Sequence, residues 1–273
     1  MFCDLNLARR LERAEGENGA RFVDARTRLF PESGARWIEV AGAYAMFDGP
    51  ESPVTQTFGL GLFDEVTPKD MDVLEEFFRS RGADTFHEVS PLAGPNILTL
   101  LTGRGYHPIE LSSIMFRSLT GDDVQVPKRN ERIRVRVIGR GDEELWTQIG
   151  IRGWSTEAPE LVEYLREIGP VLTGRDGAES FLAELDGEAI AAGALFLSSG
   201  VALLAGACTV PEGRGKGAQH ALLEERLRFA REHGCDLAVI NTAPGNASQR
   251  NAERHGFRVA YTRIKWRLPK PKS

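Results

Sequence analysis

A glycine-rich loop lies between a run of hairpin strands and an amphipathic helix, and few folds accommodate that order. Residues 179–210, ESFLAELDGEAIAAGALFLSSGVALLAGACTV, contain two turn signals, Asp186-Gly187 and Ser198-Ser199-Gly200, which divide the run into three antiparallel strands. Val210-Pro211 ends the run and EGRGKGAQHALLEERLRFAREHG follows. There Leu222, Leu223, Leu227 and Ala230 share one helical face, Glu224, Glu225, Arg228 and Arg231 point away, and Gly234 suits the C-terminal cap. The first turn of a helix has unpartnered N–H groups and a positive dipole end, and glycines before it let the main chain approach an anion closely. Arg214 and Lys216 add formal charge beside Gly215, Gly217 and Ala218.

The pattern around this loop predicts a mixed α/β (α+β) architecture. RIRVRVIG (132–139) alternates as a half-buried strand, and residues 142–154 and 158–169 read as helices. CDLAVINT (235–242) reads as a buried strand, APGNASQRNAERHGF as a turn and short helix, and 257–268 as a final alternating strand. Residues 120–131, polar with Gly121 and Pro127, read as a linker. Before it, CDLNLARRLERAE and GARFVDARTRLF read as two helices, and RWIEVAGAYAMF and VTQTFGLGLF as strands. Gly82-Ala83-Asp84 matches Gly234-Cys235-Asp236, and Gly105-Tyr106 matches Gly256-Phe257, at spacings of 23 and 22 residues. An internal repeat of one architecture is expected, with domains at 1–119 and 132–273. The first copy has no cradle: Thr67-Pro68-Lys69-Asp70-Met71-Asp72 contains no glycine, and Asp70 and Asp72 would repel a pyrophosphate.

Two nucleotide loops fail the test of spacing. A phosphate loop of the G-x-x-x-x-G-K-[ST] type needs a hydroxyl residue after the lysine, and Gly217 follows Lys216. A dinucleotide fingerprint needs an acid at the end of the next strand, and Asp236 precedes that strand. The segment instead resembles the coenzyme A loop of the GNAT acetyltransferases, [QR]-x-x-G-x-[GA], with Arg214 and Gly217 in place and Gln219 at the position where Gly or Ala is usual. The helix ending in Gly256-Phe257 and the strand order extend the resemblance over roughly residues 131–268, making the whole similar to a tandem GNAT protein with a degenerate first half.

The resemblance implies two tandem GNAT-like domains, each a mostly antiparallel sheet flanked by helices. It implies transfer of an acetyl group from acetyl-CoA to a primary amine, on a small molecule or a peptide, by direct attack in a ternary complex. A non-catalytic acyl-CoA-binding or regulatory protein is the alternative. The fourth and fifth strands of the second half should splay around the pantetheine, with main-chain contacts near Cys208, Thr209 and Val210. The implied cofactor-binding residues are these three with Arg214, Gly215, Lys216, Gly217, Ala218, Gln219, Asn246, Ser248 and Asn251. For Asn246 and Ser248, helix capping is an equal reading. The tyrosine that the family often uses to protonate the thiolate is replaced by Ala252. Glu184 and Glu157 are candidate bases, and Trp154 a candidate pocket residue. Cys208 on an apolar strand reads as core before it reads as a nucleophile.

Other function classes have less support. A net charge of −5 argues against nucleic acid as the main partner. Cys3, Cys208 and Cys235, with five scattered histidines, lack metal-ligand spacing, and His220 and His255 read as helix-surface residues. With no apolar stretch of spanning length, the chain reads as cytoplasmic without membrane contact, LPKPKS as a solvated tail, and a homodimer is allowed.

Overall fold

The computed structural model describes residues 2–121 and 128–271. In chain order the elements are α1 (Leu5–Leu29), β1 (Arg36–Val40), β2 (Ala43–Phe47), β3 (Gln56–Phe58), α2 (Pro68–Arg79), β4 (Thr85–Val89), α3 (Pro95–Gly103) and β5 (His107–Ser118). There follow β6 (Ile133–Val137), α4 (Glu143–Trp154), α5 (Val162–Gly174), β7 (Ala178–Leu185), β8 (Glu188–Ser198), β9 (Val201–Thr209), α6 (Ala218–Glu232), β10 (Leu237–Thr242), α7 (Ala247–Arg254) and β11 (Arg258–Leu268). The order α2-β4-α3-β5 matches α6-β10-α7-β11. Among the described residues no helix is long and apolar enough to cross a membrane.

Two compact units form, and neither is a continuous stretch of chain. Unit 1 comprises Met1–Ile114, Thr242–Pro244 and Val259–Ser273, and unit 2 comprises Met115–Asn241 and Gly245–Arg258. The boundaries at 119 and 132 therefore describe chain order and not packing. β11 packs in unit 1, while β5 crosses from unit 1 into unit 2 at residue 115. The expected linker at 120–131 falls largely on residues 122–127, outside the described residues.

In unit 1 the strand order is β1-β2-β3-β4-β11-β5. Ala41 and Gly42, both with positive φ (49° and 74°), make a tight turn, so the single strand expected over RWIEVAGAYAMF is a hairpin. The stretch VTQTFGLGLF yields only the three residues of β3, because Gly59 and Gly61 take positive φ and end it. The two N-terminal helices are one, capped by Asp4, whose Oδ1 accepts from Leu7 N at 2.9 Å. Gly16 and Gly19 are close-approach sites within it. A Cβ on Gly16 would lie 2.7 Å from Tyr44 Cδ2, and one on Gly19 2.7 Å from Met46 Cε. Glycine there lets α1 settle on β2, which outweighs its poor helix propensity.

Unit 1 also buries a charge cluster. Arg263 on β11, 0% exposed, faces Glu88 Oε2 on β4 at 3.0 Å, and Glu12 Oε2 and Glu15 Oε1 on α1 at 3.3 and 3.7 Å. Tyr261 donates to Glu12 at 2.8 Å, and Lys265 Nζ is 3.8 Å from Glu88 Oε1. Three carboxylates thus gather around the one Arg263 guanidinium. Burial pushes the Glu12 carboxyl up, against the opposing pull of Arg263. The segment read as a solvated tail is tied down at its start: Lys270 donates from N to Asp84 Oδ1 at 2.9 Å and from Nζ to Gly82 O at 2.7 Å. Lys272 and Ser273 lie outside the described residues.

In unit 2 the order is β5-β10-β9-β8-β7-β6, where β5 contributes its residues from 115 onward. Both turn signals hold: Asp186-Gly187 and Ser199-Gly200 have positive φ and close the β7–β8 and β8–β9 hairpins. β10 pairs with β9 in parallel. Gly169 and Pro170 lie inside α5 and do not close it; a Cβ at Gly169 would sit 2.5 Å from Thr147 Oγ1, so the glycine marks where α4 and α5 touch.

Candidate functional site

The parallel register of β9 and β10 runs from Val201–Leu237 to Leu204–Ile240 and then stops. Beyond it, residues 205–209 of β9 and Asn241 of β10 line a cleft of about 600 Å³. On its other edge β9 is bulged: Cys208 pairs Ala192 and Ala205 pairs Ala194, so Gly206 and Ala207 both oppose Gly193. A bulge removes main-chain groups from the ladder and twists the strand. Gly206 has φ of 61°, and a Cβ there would meet only open space.

One end of the cleft is formed by the start of α6. α6 starts at Gly217, in the left-handed region (φ 93°), with no side chain capping its first-turn amides. Gly215, also left-handed, faces open space. Asn130 Nδ2 holds the loop by donating to Lys216 O at 2.9 Å. The corresponding helix of unit 1 differs. At α2, Thr67 and Asp70 form a reciprocal capping box, with Thr67 N and Oγ1 donating to Asp70 Oδ2 at 2.9 and 2.6 Å. Those bonds hold the Asp70 carboxyl below the usual range, so its negative charge occupies the helix start.

Nine of the residues expected at the cofactor line this cleft: Cys208, Thr209, Arg214, Gly215, Gly217, Ala218, Gln219, Ser248 and Asn251. Three do not. Val210 is buried, its N donating to Ile190 O at 3.0 Å; Lys216 is exposed on the loop; Asn246 caps α7, accepting from Gln249 N at 2.8 Å. Gln219, the departure from the loop pattern, donates to Thr209 Oγ1 at 2.9 Å and so ties α6 to the end of β9. Arg214 spans to the end of α4, with Nη2 reaching Gly153 O at 3.3 Å, Thr156 Oγ1 at 2.8 Å and Glu157 Oε1 at 3.1 Å.

The two candidate bases separate. Glu157 lines the cleft and is its one carboxylate among the described residues, whereas Glu184 is outside it. Arg136 draws Glu184 to the β6–β7 pair, with Nε 2.8 Å from Oε1, which removes it as a base for chemistry in this cleft. Cys208 lines the wall, yet burial pushes its thiol up to about 11, leaving it protonated and a poor nucleophile near neutral pH. Gly153 lies so near that a Cβ there would be 2.5 Å from Cys208 Sγ. Trp154 also lines the cleft, as does Ala252. The reading of His255 as a surface residue is corrected: its ring is fully buried and stacks on the partly buried His220 at 5.0 Å, because α7 folds back on α6.

Two features escaped the sequence. The bulge at Gly206 gives no signal that separates it from an ordinary strand glycine. Arg226 does: it sits four residues after Leu222 and three after Leu223, within the apolar stripe of α6, and it lines the cleft.

Residues 143–257 match the family model described as the acetyltransferase (GNAT) family. No curated protein matches the sequence. Solved structures show the same fold. A GCN5-related N-acetyltransferase from Kribbella flavida aligns with TM-score 0.65 at 17% identity, covering 93% of this chain and 96% of that one. A GCN5-related N-acetyltransferase from Sphaerobacter thermophilus aligns with TM-score 0.57 at 17% identity, covering 85% and 78%. A tandem GNAT protein from the clavulanic acid biosynthesis pathway aligns with TM-score 0.54 at 18% identity, covering 84% and 74%.

Proposed function

We propose that the GNAT domain this chain carries is an acyl-CoA-dependent N-acyltransferase, with acetyl-CoA as the reference donor and a primary amine as acceptor. The observation that carries this reading is the union of the splayed β9–β10 edge with an uncapped α6 N-terminus in one cleft. Both phosphates of a pyrophosphate suit the first-turn amides and the dipole at Gly217, with Lys216 on the exposed loop as a countercharge. Ser248 and Asn251 supply polar side chains on the facing helix. The bulge at Gly206-Ala207 frees main-chain N–H groups beside the wall, and one of them polarises the thioester carbonyl.

In this mechanism the neutral amine attacks the carbonyl, the C–N bond forms, and the C–S bond breaks with its electrons leaving on sulfur. Glu157, paired with Arg214 at the cleft, takes the proton released by the acceptor nitrogen, directly or through water. With Ala252 at the tyrosine position, the thiolate takes its proton from solvent.

Calorimetry with acetyl-CoA tests the site. A substitution at Gly217 would confound the result, since its φ of 93° strains any side chain. Lys216→Glu on the exposed loop avoids this, and its expected effect is roughly 10–100-fold weaker binding, the loss of one charge-assisted phosphate contact. Undiminished affinity in that variant would remove the anion from the α6 N-terminus. Glu157→Gln is expected to bind normally and lose about 10²-fold or more in kcat with a competent amine. Equal rates would leave deprotonation to solvent. Tight binding by the wild type with no turnover on any amine would establish the alternative, an acyl-CoA-binding protein.

A further inference from the structure

We propose that Arg226 reads a carboxylate on the acyl group, so that the preferred donor is a dicarboxylic acyl thioester, such as malonyl- or succinyl-CoA, over acetyl-CoA. This rests on the cleft being an acyl-CoA site. Arg226 is 3% exposed and lies among the apolar residues of α6. Its partners are neutral main-chain carbonyls: Nε donates to Leu222 O at 3.2 Å, and Nη1 to Ala194 O at 3.0 Å and Ala205 O at 3.4 Å. Among the described residues no carboxylate pairs with it, and its Nη2 makes no hydrogen bond, although the residue lines the cleft.

A buried cation without a countercharge is costly unless something compensates. Arg263 in unit 1 meets that cost with three carboxylates around one guanidinium. Arg226 has none among the described residues, and it lines the cleft with Nη2 unbonded. Burial lowers its pKa to about 10, which still leaves it charged at neutral pH. Glycine at position 193 makes room for the fork: a Cβ there would lie 3.2 Å from Nη1.

Position along α6 separates this charge from the phosphate cradle. Ala218, Gln219, His220, Leu223 and Arg226 line the cleft from one helix. Eight residues separate Ala218 from Arg226, about 12 Å along the axis. Arg226 therefore stands beside Ala205, at the bulge, where the thioester is held and the acyl group projects. Throughout the transfer the distal carboxylate keeps its charge. The C–N bond forms, the C–S bond breaks, and one proton leaves the acceptor nitrogen, so Arg226 remains paired from bound donor to acylated product.

The test is calorimetry on the full chain with CoA, acetyl-CoA, malonyl-CoA and succinyl-CoA. At least one dicarboxylic thioester should bind roughly tenfold or more tighter than acetyl-CoA, as a charge-assisted pair requires. Arg226→Gln, with an unchanged circular dichroism spectrum, should bring that ratio to about one. A wild-type ratio of one or less for both dicarboxylic thioesters overturns the inference, as does a preference that persists in Arg226→Gln. Should that variant not fold, Arg226→Lys is read in its place: it retains the charge without the fork, and an unreduced ratio overturns the proposal. Equal binding of every thioester leaves the acyl-CoA site standing and sinks only the acyl preference. No binding of CoA itself overturns both.

Discussion

A chain beginning at residue 120 is expected to yield no folded, CoA-binding protein. Read as a sequence, residues 132–273 form one domain, and removal of the first 119 residues would spare CoA binding if that half folds alone. The packing of unit 2 gives the opposite expectation. Its strand beside β10 is the end of β5, and Leu119 N donates to Asp236 O at 2.8 Å. Arg117 Nη1 donates to His255 O at 2.7 Å, between the end of that strand and the end of α7. Met115 and Leu119 are both buried in the unit 2 core with Ala238 and Ile240. Loss of two such side chains alone costs about 2–5 kcal/mol each, comparable to the whole stability of a typical domain. It also bares an edge of the central strand β10, whose Leu237, Ala238 and Val239 are fully buried. Soluble yield, circular dichroism and acetyl-CoA calorimetry on chains beginning at 120 and at 107 decide the matter. A soluble monomer from residue 120 with wild-type affinity would show that β5 is dispensable.

Arg263→Met should be the most damaging single change in unit 1. It removes the cation that Glu12, Glu15 and Glu88 share, while Lys265 Nζ lies near Glu88 only. Breaking a buried ion pair by deleting one partner costs about 3–5 kcal/mol, which for a chain of this size is on the order of 10 °C in Tm. The pH dependence has a definite sign. Burial already pushes the Glu12 carboxyl up, and loss of Arg263 removes the main opposing pull, so its folded pKa rises further. A carboxyl whose pKa is higher folded than unfolded contributes stability below its unfolded pKa and loses it as pH rises through the folded value. The deficit of the variant should therefore be small near pH 4 and grow toward pH 7. Urea titrations at both pH values measure it; a deficit independent of pH would mean that lost packing, not charge, is responsible.

The elements that could be read from sequence are those whose signal is local. Asp186-Gly187 and Ser199-Gly200 set two hairpins because both positions need positive φ, and the alternation of β6 and the stripe of α6 followed from burial on one face. The glycine loop before α6 was legible for the same reason, since Gly215 and Gly217 state their backbone conformation. What failed was set by distant residues. Gly16 and Gly19 look like breaks until Tyr44 and Met46 are placed against them, and Glu184 looks like a base until Arg136 is opposite it. Arg226 carries a signal, a charge in phase with the apolar stripe of α6, but its meaning depended on the carbonyls of Ala194 and Ala205, far away in sequence. No local pattern reveals which sheet a strand joins: β11 alternates the same way wherever it pairs.

That last point bears on how the chain is made. During synthesis an N-terminal domain ordinarily folds while the rest is still on the ribosome. Unit 1 cannot do so, because β11 stands between β4 and β5 in its sheet and carries Arg263 to the acids of α1. Until residues 259–268 emerge, Glu12 and Glu88 wait without their cation and β4 without its neighbour. At about 5–20 residues/s, the roughly 150 residues from Ile114 to β11 keep that half open for on the order of 10–30 s. The nascent chain is therefore most dependent on chaperones in this interval, and slow codons late in the message would lengthen it.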